Sequence, residues 1–174
     1  MSRFVFLDRD GTLVRDAGYV HRIEDYALLP GVVPVLRRLA AAGFGLAVVT
    51  NQSGIGRGLF SLADYHAFER HLEADLARQG VPLAASFFCP HRPDEGCACR
   101  KPAPGLLLRA RDVLGATLEA SFAIGNDLRD AEAALAAGCR GAVLVGDAEP
   151  GRLPPQTWRA PDLAAAAERI LALG

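Results

Sequence analysis

The chain has one methionine and one tryptophan in 174 residues, and aromatics make up only 7% of it. It has almost no net charge: the formal value is -1 at pH 7, with the two signs interspersed. That balance gives no sign of a nucleic-acid-binding surface or a polybasic membrane patch. No apolar run approaches the roughly 18 residues of a membrane span. No stretch before the first apolar run is long enough for a signal peptide, so a cytoplasmic protein is expected. Cysteine is sparse at four residues. In a reducing compartment these suggest metal ligands or free thiols before disulfides. What the chain does have is hydrophobicity, at 51%, which excludes a disordered protein. This length can bury a sizeable core without disulfides and fits one domain, residues 1–174.

Arg3-Phe4-Val5-Phe6-Leu7 is followed at once by Asp8-Arg9-Asp10-Gly11-Thr12. A short apolar run ending in acid and glycine reads as a buried parallel strand. Active sites of open α/β sheets lie just beyond such strand ends. On continued strand geometry Asp8 and Asp10 would share a face. A hard cation such as Mg²⁺, held by Asp8 and by the Asp10 backbone carbonyl, would leave one carboxylate oxygen free to attack phosphorus. Taken alone, the pair also fits an Asp-rich turn.

Residues 14–29 have no helical period and read as a loop, where Tyr19 and His21 could face a substrate or pack the loop down. Val32 to Ala42 has helical spacing and Gly43 a C-cap position. A second buried run, 44–49, ends in Thr50-Asn51-Gln52-Ser53-Gly54-Ile55-Gly56-Arg57-Gly58. No Gly-Lys-Ser/Thr follows, which excludes an ATP-binding loop of that type. It offers a hydroxyl at a strand end and amides suited to a phosphate oxygen. Ser61 and Asp64 predict a capping box opening a helix over 62–78. His66 and His71 on it read as surface residues. A third strand is expected over 84–88.

Cys89, His91, Cys97 and Cys99 then fall within eleven residues. Cys-x-His and Cys-x-Cys spacing in a proline-rich loop, 89–99, matches structural Zn²⁺. Arg100 and Lys101 follow directly. A lysine held at a loop edge suits stabilisation of phosphoryl charge, and Arg100 could reach the far end of a substrate. A helix over 106–114 and a fourth strand over 121–124 lead to Gly125-Asn126-Asp127-Leu128-Arg129-Asp130. A helix over 131–137, a core Cys139, a fifth strand over 141–145, a surface segment over 146–160 and a closing helix over 162–173 complete the reading.

Asp-Arg-Asp-Gly-Thr after an apolar strand resembles the first motif of the haloacid dehalogenase superfamily of phosphohydrolases. Thr50, Lys101 and the segment from Gly125 to Asp130 resemble its second, third and fourth motifs. The glycine-rich and cysteine loops resemble those of its heptose bisphosphate phosphatase and histidinol-phosphatase branch. The resemblance runs from about Phe4 to about Val145. It implies an α/β Rossmannoid three-layer sandwich with a mostly parallel sheet, a zinc loop and no large cap. It implies that Asp8 forms an aspartyl-phosphate and that Asp10 protonates the leaving alkoxide and then activates water. Thr50 and Lys101 would stabilise the phosphoryl group. Substrate contacts are expected from Tyr19, His21, Asn51, Gln52, Ser53, Arg57 and Arg100. Mg²⁺ is expected at Asp8 and Asp10, completed by Asn126 or Asp127, because asparagine stands where the family usually has aspartate. The expected substrate is a small phosphorylated metabolite, a sugar bisphosphate, acted on by a monomer. Histidinol phosphate is the alternative substrate, and a catalytically weak phosphosugar-binding protein the alternative class.

Overall fold

The first apolar run forms β1, Phe4–Leu7, and every residue of it is buried. The computed structural model describes residues 2–146 and 153–174. The other strands are β2 (Gly45–Asn51), β3 (Ala85–Cys89), β4 (Phe122–Gly125), β5 (Gly141–Val145) and β6 (Thr157–Ala160). They form one sheet in the order β3-β2-β1-β4-β5-β6, and every pairing is parallel. Six principal helical stretches accompany it: α1 (Val32–Ala41), α2 (Ser53–Gly56), α3 (Leu62–Arg78), α4 (Gly105–Leu114), α5 (Leu128–Ala137) and α6 (Leu163–Leu173).

Strand periodicity divides the core in two. Val5 and Leu7 point to one face, where Leu36, Leu72 and Ile170 of α1, α3 and α6 pack on them. Phe4 and Phe6 point to the other, against Leu107 of α4 and Ala131 and Ala134 of α5. Both faces of a parallel sheet are thus covered, giving a three-layer sandwich. No large cap is inserted among the described residues, and no helix there is long and apolar enough to cross a membrane.

The chain winds outward from β1 through β2 to β3, then returns beside β1 as β4. That reversal is the switch point at which open α/β sheets bind ligands. The Ser61–Asp64 capping box is present, with Asp64 N donating to Ser61 Oγ at 3.1 Å and Ser61 N to Asp64 Oδ2 at 2.8 Å. Cys139 is buried against α5 and β5, as a small core residue would be.

Three expectations need correction. The segment 146–160 contains a sixth strand; the part of it over 147–152 lies outside the described residues. The loop 14–29 holds a 3₁₀ turn, Ile23–Asp25, and is pinned by bridges from Val14 to Asp10 and Leu28. His66 is exposed, but His71 is half-buried with its ring 4.7 Å from that of Tyr26.

Candidate active site

β1 ends at Leu7, and the next residue still keeps the ladder: Asp8 N donates to Ile124 O at 2.9 Å. Parity therefore sends Asp8 to the same face as Phe4 and Phe6, the face carrying α4 and α5. There it meets Lys101, whose Nζ donates to Asp8 Oδ1 at 2.8 Å and to Val49 O at 2.7 Å, and pairs with Asp130 Oδ1 at 2.5 Å. An ammonium has three donors, and these three acceptors use them all. Gly125 makes this possible. A Cβ there would stand 2.1 Å from Asp130 Oδ2.

Lys101 is also fixed through its backbone. Asn51 Nδ2 donates to Lys101 O and Lys101 N donates to Asn51 Oδ1, each at 3.1 Å. Asn51 thus holds the lysine rather than presenting a free amide. The zinc-type loop braces the other side, where Gly105 N donates to Ala98 O at 3.1 Å. A Cβ at Gly105 would lie 2.3 Å from that oxygen, so only glycine lets α4 start so close to the loop.

Asp10 lines the same cleft with a different set of contacts. Arg9 clasps both its oxygens, and Gln52 Nε2 donates to Asp10 Oδ2 at 2.8 Å. Gln52 Nε2 also donates to Thr50 Oγ1 at 2.9 Å, which leaves the Thr50 proton free to point elsewhere. Gln52 is buried and tied inward.

These groups line one cleft of about 380 Å³, with Asp8, Asp10, Thr50 and Lys101 at its floor. Tyr19, Asn51, Gln52, Ser53, Arg100, Asn126, Asp127, Arg129, Asp16 and Asp130 line it too. Two expected contacts lie outside it. His21 stacks on Phe60 at 4.7 Å, and Arg57 caps the short α2 in solvent.

Two buried carboxylates share the one Lys101 ammonium. Burial pushes Asp8 above its ordinary range and Asp130 to about 6, against the pull of Lys101. Burial alone would favour neutral Lys101, but Asp8 and Asp130 more than offset it and keep the amine protonated. The surplus of buried negative charge suits a cation. Asp8, the Asp10 carbonyl and Asn126 are all oxygen donors, as Mg²⁺ requires. Asn126 lies directly over Gly11, where a Cβ would be 2.2 Å from its Nδ2. Asp127, though it lines the cleft, has both oxygens engaged by Arg129. Its Oδ1 caps α5 by accepting from Arg129 N at 2.9 Å, and both oxygens accept from the Arg129 guanidinium at 2.8 Å. Those bonds from Arg129 hold the Asp127 carboxyl below its usual range.

The four expected zinc ligands converge, with ligand atoms all within 4.8 Å of one another. Their sulfurs are 3.2, 3.5 and 3.6 Å apart, and His91 Nδ1 is 3.3 Å from Cys99 Sγ and 3.5 Å from Cys89 Sγ. Tetrahedral Zn²⁺ implies about 3.8 Å between sulfurs and about 3.6 Å from sulfur to nitrogen. All four cysteines of the chain are free thiols, so the cluster is not a disulfide.

Asp130, Arg129, Asp16 and Arg9 were not among the expected site residues, although Asp130 lies within the fourth motif. Asp130, three residues after Asp127, looks like half of a capping box, which it also is. Nothing local shows that its other oxygen meets Lys101. For Arg9 a signal existed: strand parity opposite to Asp8.

Comparison with known proteins bears on this geometry. A family model described as haloacid dehalogenase-like hydrolase matches residues 15–138. The chain is 43% identical over 153 residues to the D-glycero-beta-D-manno-heptose-1,7-bisphosphate 7-phosphatase of Yersinia pestis, covering 84% of this chain and 81% of that one. It is 42% identical over 165 residues to the enzyme of that name from Escherichia coli K12, covering 91% and 85%. Among solved structures it resembles the D,D-heptose 1,7-bisphosphate phosphatase of B. bronchiseptica, which was complexed with magnesium and phosphate. The TM-score is 0.89, with 37% identity and 99% of each chain covered.

Proposed function

The chain belongs to the haloacid dehalogenase-like hydrolases and is a phosphoric monoester hydrolase, and on that premise we propose that it removes the 7-phosphate of D-glycero-D-manno-heptose 1,7-bisphosphate in the cytoplasm. The observation that carries the reading is the cleft floor. Three separate stretches of chain bring Asp8 and Asp10, Thr50, and Lys101 to the switch point of the sheet. The names of the similar proteins supply the substrate.

Asp8 is the nucleophile. Its Oδ1 is held by Lys101, and its other oxygen attacks phosphorus as the bond to the sugar oxygen breaks. Asp10 gives the departing alkoxide a proton, then takes one from the water that attacks the aspartyl-phosphate. Inorganic phosphate leaves and both carboxyl groups return to their starting states. Thr50 and Lys101 face the charge that builds on the transferring oxygens. Asp8, the Asp10 carbonyl and Asn126 would hold Mg²⁺, which when bound neutralises phosphoryl charge and polarises phosphorus. Cys89, His91, Cys97 and Cys99 would hold Zn²⁺ in a structural role, ordering the segment that ends in Lys101. Arg100, Arg129, Ser53 and Tyr19 are left at the cleft walls for the rest of the sugar and its second phosphate. Free thiols at a metal-type cluster suit a reducing compartment.

The test is phosphate release by the full chain with Mg²⁺, on both anomers of the heptose bisphosphate and on histidinol phosphate. We expect kcat/KM for one heptose anomer to exceed that for histidinol phosphate by about 100-fold or more. Equal or reversed preference would overturn the substrate assignment.

A further inference from the structure

Arg9 lies between the two carboxylates of the first motif, yet the reaction as derived never uses it. Its side chain is fully buried, on the sheet face opposite to Asp8. Nε donates to Asp10 Oδ1 at 2.9 Å and Nη2 to Asp10 Oδ2 at 3.0 Å, a bidentate clasp. Nη2 also donates to Val20 O at 2.8 Å and to Gln52 Oε1 at 3.2 Å. From behind, Nη1 stands 3.5 Å from Glu69 Oε2 on α3, and Phe68 lies under the guanidinium at 4.6 Å. Glu69 is itself 4% exposed.

Stability is a poor reason to keep such a pair. Buried ion pairs are often replaceable by apolar residues of similar volume at no loss. The geometry does something an apolar pair would not. A planar fork meets a carboxylate in one orientation only. Each carboxylate oxygen has two lone pairs. Oδ2 of Asp10 accepts from both Arg9 and Gln52, whereas Oδ1 accepts from Arg9 alone among the described residues. The Asp10 side chain remains 21% exposed, so one oxygen is available to the cleft.

We propose that Arg9 is the positioning residue of Asp10, braced from behind by Glu69, and that this clasp leaves Oδ1 as the oxygen that exchanges the proton. The proposal rests on Asp10 as the proton-transfer residue. It predicts a dependence on the leaving group. An alkoxide needs the proton; a nitrophenolate leaves without it, but its phosphoenzyme still needs Asp10 to activate water.

The test compares wild type, Arg9→Met, Asp10→Asn and the double variant Arg9→Met/Glu69→Leu, with an alkyl phosphomonoester and with nitrophenyl phosphate. Arg9→Met should lower kcat for the alkyl ester by about 10²-fold, the lower end of what positioned acid–base catalysis contributes. KM should move by less than about three-fold, because ground-state binding is untouched. Nitrophenyl phosphate should show a rapid burst of nearly one equivalent of nitrophenolate, then a slow steady rate. The double variant leaves no unpaired buried charge. It should regain the thermal midpoint lost in Arg9→Met without regaining alkyl turnover. Absence of the nitrophenolate burst in Arg9→Met, or alkyl turnover returning with stability, would overturn the proposal while Asp10→Asn still shows that burst. If Asp10→Asn itself gives no nitrophenolate burst, the proton-transfer role falls and takes the proposal with it.

Discussion

One ammonium serving two carboxylates is the smallest unit of this site. Lys101 bridges Asp8 and Asp130, and the asymmetry between those acids defines their roles: Asp130 is anchored at a helix N-terminus, while Asp8 ends a strand facing the cleft. Asp8→Asn should abolish turnover, since an amide cannot form the acyl phosphate, and leave the fold intact, since Asn still accepts from Lys101. A kinetic assay beside a thermal melt checks both halves; more than a few per cent of residual activity would contradict it. The fourth motif gives a sharper prediction. Asn126→Asp adds a charged oxygen donor and should lower the half-activating Mg²⁺ concentration by about ten-fold, roughly 1.4 kcal/mol. Asp127→Asn should scarcely move it, because Asp127 is committed to Arg129 and to the cap of α5. A metal titration of turnover at fixed pH reads both variants, and a larger effect at Asp127 would reverse the assignment. At this scale the sequence was legible where chemistry follows directly from a strand end, at Asp8 and Thr50. It was opaque where a partner arrives from far along the chain. Asp130 and Lys101 are 29 positions apart, and Arg9 and Glu69 are 60 apart.

At the scale of elements, the Cys89–Cys99 loop has little apolar content to order it. Its three thiols and one imidazole converge to within 4.8 Å of one another, and Ala98 at its end abuts the first residue of α4. Protein purified without chelator should contain about one zinc per chain by elemental analysis. Cys97→Ala should lower the thermal midpoint and reduce kcat through a loosened Lys101. No zinc, with all four thiols titrating freely, would remove the account. The loop was legible because ligand spacing is a local signal, and α3 was legible because its capping box is local too. β6 was not. It has four residues, lies at the sheet edge, follows Pro154-Pro155 and exposes Arg159, so neither a continuous apolar run nor a clean alternation announces it. What makes it a strand is its neighbour: Ala142 and Val145 of β5 pair with Thr157 and Ala160.

The whole molecule is a machine for gathering the ends of β1, β2 and β4 around one cleft. Alternating apolar runs and helical periods already implied a covered parallel sheet, and the abrupt polar residue after each run marked the catalytic edge. Strand order is not written in any local run. It follows from packing, and it puts Thr50 on one side of Asp8 and the Asn126–Asp130 turn on the other. The central claim for this assembly is that phosphate is transferred to Asp8 before water takes it. The direct measurement is acid quenching during turnover of an aryl phosphate by Asp10→Asn with Mg²⁺, then borohydride reduction and peptide mass spectrometry. An acyl phosphate on aspartate is reduced to homoserine. The account predicts homoserine at position 8, dependent on substrate and on Mg²⁺. Phosphate release with Asp8 unmodified, or with the reduced residue elsewhere, would contradict it.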